Sequence, residues 1–184
     1  MKTRPVDPTR LDVAAFAKDG GSLEGQCSVG SLDRLSDATH PDAHPTDADL
    51  AHWTAEGESR PVRGAQPQVW LHLKARARVS LICQRCLAPV ETALDAHRSF
   101  HFVSGEDVAA QLDADSEDDV LALPHWLDLR ALVEDELLLA LPLVPRHEVC
   151  PEPLPMPHGD EEEAEPAPNP FAALAGLKRG GPAN

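Results

Sequence analysis

Positive charge is scarce in this chain. Sixteen Lys and Arg stand against 31 Asp and Glu, a formal charge of -15. A field of that sign repels polyphosphate, which disfavours a broad electrostatic grip on nucleic acid and favours basic partners. Long apolar runs are also missing. Charged residues interrupt even the strongest, residues 127–143, so no segment reaches membrane-spanning length and no membrane partner is expected. The start Met1-Lys2-Thr3-Arg4-Pro5 has no apolar core behind it, so no secretory signal is read there. The expected compartment is a reducing cytoplasm, where four cysteines argue for free thiols or a metal rather than disulfides. Absent too are a Gly-rich phosphate loop, a zinc-protease helix and a His-x-Glu element ahead of the Cys-x-x-Cys pair. Without them no small-molecule substrate is expected.

What is present centres on Cys83-Gln84-Arg85-Cys86. The pair sits between two segments that alternate apolar and polar residues, which predicts the turn of a β-hairpin. Two thiols three positions apart at a tight turn can point at one metal ion. His147 and Cys150 repeat that spacing downstream, and the four side chains match the ligand set of a tetrahedral zinc site. The alternative is reduced structural thiols with His147 on a surface loop. A thiol oxidoreductase fits less well, because such pairs open a helix whose N-terminus lowers the thiol pKa, and these flanks read as strands.

The strand over residues 70–83 has the clearest pattern. One parity carries Leu71, Leu73, Ala75, Ala77, Val79 and Leu81; the other carries His72, Lys74, Arg76, Arg78 and Ser80. Such alternation puts one face on a core and the other in solvent. Lys74, Arg76 and Arg78 then stand in a row, with Arg85 beyond them at the turn. They read either as cations balanced by neighbouring acids or as a small phosphate-binding stripe. The partner strand, residues 90–103, buries Thr92, Leu94, Ala96, Phe100 and Phe102 and aims Arg98 inward.

Upstream, Asp7-Pro8 is expected to start a short helix over residues 9–18 that buries Leu11, Ala14 and Ala15 and ends at Gly20-Gly21. Residues 22–29 read as a strand with Cys27 as a small buried residue. Residues 36–49 form a polar loop, and residues 50–58 a strand with Trp53 facing the core. Downstream, residues 105–119 are dense in Asp and Glu and read as a flexible loop. Asp128 caps a helix over residues 129–141 that stops at Pro142 and covers the sheet. Glu136 falls within its apolar stripe, where a carboxylate needs a partner, and the inward Arg98 is predicted to supply it.

Residues 151–168 are Pro- and Glu-rich and are expected to be a disordered acidic linker. In residues 169–184, Asn169-Pro170 suits a helix start, Phe171, Leu174 and Leu177 recur every three residues, and Lys178 and Arg179 close the segment. Those five residues form a candidate docking peptide.

Three stretches together match a known family. They are Cys83-Gln84-Arg85-Cys86, the Glu134-Asp135-Glu136 helix followed by Pro142-x-x-Pro145, and Asn169-Pro170-Phe171 through Leu177-Lys178-Arg179. With Asp7-Pro8-x-Arg10, the chain resembles the bacterial YceD family of large ribosomal RNA subunit accumulation proteins. The resemblance implies a non-enzymatic cytoplasmic factor for synthesis, processing or stability of 23S ribosomal RNA. Two routes are open to such a factor: local RNA contact through Lys74, Arg76, Arg78 and Arg85, and capture of a basic ribosomal protein by the acidic loop and tail. A mixed role is expected, in which the tail engages protein and the stripe touches RNA. The expected architecture is a single α+β domain over residues 1–150. Its antiparallel, partly barrel-like sheet is covered by one main helix and followed by the acidic tail.

Overall fold

The 15-residue strand Gln68–Ile82 (β3) sets the architecture, and its alternation is realised residue by residue. Leu71, Leu73, Ala75, Ala77, Val79 and Leu81 are buried on one face, while Lys74, Arg76 and Arg78 are exposed on the other. The computed structural model describes residues 7–151; the expected acidic linker and docking segment (Phe171, Leu174, Leu177, Lys178, Arg179) lie outside the described residues.

In chain order the elements are α1 (Val13–Lys18), β1 (Ser22–Ser28), a 3-10 turn (Val29–Ser31), α2 (Asp33–Asp37), β2 (Leu50–Arg60), β3, β4 (Pro89–Val103), α3 (Glu106–Asp113), β5 (Asp119–Ala122) and α4 (Leu129–Leu139). The strands form one sheet in sequence order, antiparallel from β1 to β4, with β5 parallel to β4. The α+β expectation holds. The barrel-like closure does not: among the described residues β1 and β5 are the two edges of an open sheet.

α4 packs over β3 and β4 and buries Leu129, Val133 and Leu137, each contributing about 1.5–3 kcal/mol of burial. Asp128 caps it by accepting from the amides of Arg130 and Ala131. α1 lies on the same side against β2. Gly57 permits this close approach, since a Cβ there would come within 2.7–2.9 Å of Phe16 and Ala17.

Two elements start or form where the local pattern pointed elsewhere. The cap of α1 is Asp12, which accepts from the Ala15 amide, because Leu11 is spent on a bridge to Leu127 instead of entering the helix. Val13, Phe16 and Ala17 are therefore the buried residues of α1, whereas Ala15 is exposed. The acidic stretch 105–119 is not a flexible loop. It carries α3 and leads into β5, where the buried Val120 is anchored by its amide N–H donating to Asp113 Oδ1 (3.0 Å).

Candidate metal centre and cationic sheet face

β3 and β4 pair antiparallel up to Ile82 and Pro89, so residues 83–88 form the hairpin turn that the alternation predicted. The turn is closed by the Cys83 amide donating to Ala88 O (3.0 Å) and the Leu87 amide donating to Cys83 O (2.9 Å). Leu87 takes a left-handed backbone with φ of 61°, a conformation glycine adopts far more readily. His40 holds it there. The Asp42 amide donates to His40 Nδ1 (3.1 Å), so Nε2 carries the proton and donates to Leu87 O (3.0 Å). His40 is buried within the 36–49 segment, which therefore supports the turn. A His in a polar loop carries no periodic signature that could have announced this.

The segment after α4 folds back onto the turn. The Gln84 amide donates to Pro145 O (2.9 Å), and this brings His147 and Cys150 to Cys83 and Cys86. The four potential ligand atoms lie within 4.8 Å of one another. A tetrahedral zinc ion with Zn–S bonds of about 2.3 Å needs sulfurs roughly 3.8 Å apart, so small inward shifts complete the site. His147 Nε2 lies 3.0 Å from Pro89 O, and because a carbonyl only accepts, Nε2 is the protonated nitrogen. Nδ1 then presents its lone pair toward Cys86 Sγ at 3.5 Å. That outer hydrogen bond fixes the tautomer a metal-binding imidazole requires.

The thiols are unequal. Burial pushes the Cys83 thiol up, but the backbone amides of Cys86, His147 and Arg85 outweigh it and hold the pKa at about 5. Cys86 is displaced upward, because burial and the neighbouring Cys150 and Cys83 sulfurs outweigh the Ala88 amide that favours its thiolate. Crowded sulfurs of this kind cannot all ionise unless a cation joins them.

Arg85 belongs to this centre. Its Nε donates to Cys150 Sγ at 3.0 Å, and its Nη2 donates to the carbonyls of His147 (3.0 Å) and Glu148 (3.2 Å). Sequence grouped it with the cationic row; the structure turns it onto the second ligand pair. Cys27, by contrast, lies apart from the cluster, half-buried against the core.

Lys74, Arg76 and Arg78 share the open face of the sheet. Arg76 pairs with Asp95 (Nε to Oδ2, 3.1 Å), and Asp95 also holds His97 Nε2 at 2.8 Å. Further along the same face, His72 bridges Ser99 Oγ (2.8 Å) and Glu58 Oε2 (2.9 Å), and Trp70 is stacked between His101 and the Arg60 guanidinium. Arg60 and His72 draw the Glu58 carboxyl down to about 2. This end of the face is internally satisfied; in the exposed 74–78 row Asp95 balances Arg76, while Lys74 and Arg78 form no ion pair among the described residues. Among the described residues no helix is long and apolar enough to cross a membrane.

The family described as "Large ribosomal RNA subunit accumulation protein YceD" matches residues 71–178. A Haemophilus influenzae protein described as "Large ribosomal RNA subunit accumulation protein YceD" is 38% identical over 120 residues, covering 61% of this chain and 68% of that protein. No solved structure matches.

Proposed function

The chain belongs to the family of large ribosomal RNA subunit accumulation proteins, YceD, and from that membership we propose that it is a non-enzymatic cytoplasmic factor supporting the accumulation of 23S ribosomal RNA through local RNA contact. The observation that carries the reading is the row of exposed Lys74, Arg76 and Arg78 on one sheet face of a chain whose net charge is -15. Phosphate contact there is confined to a few charges, so affinity is modest and recognition local. Capture of a basic ribosomal protein by the acidic segments is the rival route.

Zinc is the metal that suits the cluster. Three sulfurs and one imidazole are a soft, four-coordinate set that excludes hard oxygen-seeking ions. Cys83, Cys86, His147 and Cys150 would hold it, and its work is structural: it fastens the segment after α4 to the hairpin that carries the cationic row. Four protein ligands leave no open position for catalysis.

Crosslinking in cells tests the function. Ribosomal RNA adducts are expected for the wild type, and they should be lost in a folded variant with Lys74, Arg76 and Arg78 replaced by Glu. Adducts solely with one basic protein would overturn RNA contact in favour of the rival route.

A further inference from the structure

The cationic row is bordered by two imidazoles. His52 on β2 lies opposite Arg76, and His97 on β4 lies opposite Lys74, so the rings flank β3 on either side. Both are exposed and line a shallow groove of about 790 Å³ on the open sheet face, together with Lys74 and Arg76. Asp95 fixes one side of this arrangement by holding His97 and Arg76 at once.

We propose that this groove binds single-stranded RNA, with His52 and His97 as platforms for two splayed bases and Lys74 and Arg76 on the phosphates between them. The inference rests on the RNA-contact reading above and adds the strandedness of the ligand. Two strand spacings across the sheet and two residues along β3 separate the histidines, roughly 12 Å. Neighbouring bases in a helix stack at about 3.4 Å, so only an unstacked strand places one base on each ring. A duplex hides its base faces. It would also bring a second phosphate strand over the carboxylates of Glu24 and Glu56, which line the same groove. A single strand can run along Lys74 and Arg76 away from those two carboxylates, competing with Asp95 for the Arg76 guanidinium.

The test is fluorescence anisotropy of the full chain with a mixed-sequence single-stranded RNA and with a duplex of the same sequence. Wild type is expected to bind the single strand at least tenfold more tightly. Joint His52→Ala and His97→Ala should weaken it roughly tenfold while leaving its salt dependence unchanged, because stacking is not an ionic contact. Joint His52→Phe and His97→Phe should restore binding. Equal affinity for the duplex, no effect of the Ala pair, or Phe no better than Ala overturns the stacking inference while leaving RNA contact standing. Binding of neither RNA by the wild type overturns RNA contact and this inference with it.

Discussion

Arg98 Nε lies 3.1 Å from Glu136 Oε2, joining the one cation on the inner parity of β4 to the carboxylate inside the apolar stripe of α4. The Glu136 side chain is 6% exposed and Arg98 is 49% exposed, so the acid is inside and the base reaches in from the rim. Burial pushes the Glu136 carboxyl up, and Arg98 pulls it only part of the way back.

Removing Arg98 therefore strands a buried acid. Arg98→Ala is expected to cost about 1–3 kcal/mol at pH 7. An acid whose folded pKa is raised adds stability as pH falls through that pKa, so the loss should shrink toward pH 5. Arg98→Ala with Glu136→Leu should recover most of it, because the unpaired charge is gone. Urea unfolding at the two pH values measures this. A loss that does not change with pH would mean that Arg98 contributes packing alone.

Glu134 has the opposite sign. Its carboxylate accepts from the amides of Arg34 (2.7 Å) and Leu35 (3.2 Å), and so caps α2, while Arg34 and Asp135 close the ion pair outside. Burial works against the charge, but these donors together hold its pKa below the usual value of 4.5. Its stabilisation is present above the ordinary carboxylate range and is lost as pH falls through the folded pKa. Glu134→Gln should cost about 1–2 kcal/mol at pH 7. Thermal melts of the two proteins should draw together as pH falls through the folded pKa of Glu134.

The metal centre makes its own demand. Protein prepared without chelator should carry one zinc per chain by elemental analysis, and Cys83→Ser should carry none. Stripping the ion should lower the melting temperature. Metal-free wild type would remove the site.

Arg85 is expected to act on that metal. With its clamp on Cys150 and on the His147 and Glu148 carbonyls removed, Arg85→Ala should weaken zinc binding about 10- to 100-fold in a chelator competition. RNA affinity should change little, in contrast to replacement of Lys74.

The hairpin, the α4 cap and the Arg98–Glu136 pair were legible because each rests on a local period or a charge out of place within one. The ligand cluster was readable from two equal spacings, although only the fold shows that residues 83 and 150 meet. Other features had no local trace. β5 exists through parallel pairing with β4, and its acid-rich surroundings suggested a loop. The five-residue α2 takes its cap from Glu134, a hundred residues away, so no signal near residue 33 announces it. Arg85 continued the cationic row in sequence, but the turn redirects its side chain to sulfur.

Salt dependence of RNA binding tests the central claim most directly. Three phosphate contacts by Lys74, Arg76 and Arg78 predict that log K falls with log salt at a slope of about -2 for a single strand. With all three replaced by Glu, binding should fall below detection or lose its slope. A wild-type slope near zero, or one that the triple variant leaves unchanged, would contradict contact through this face.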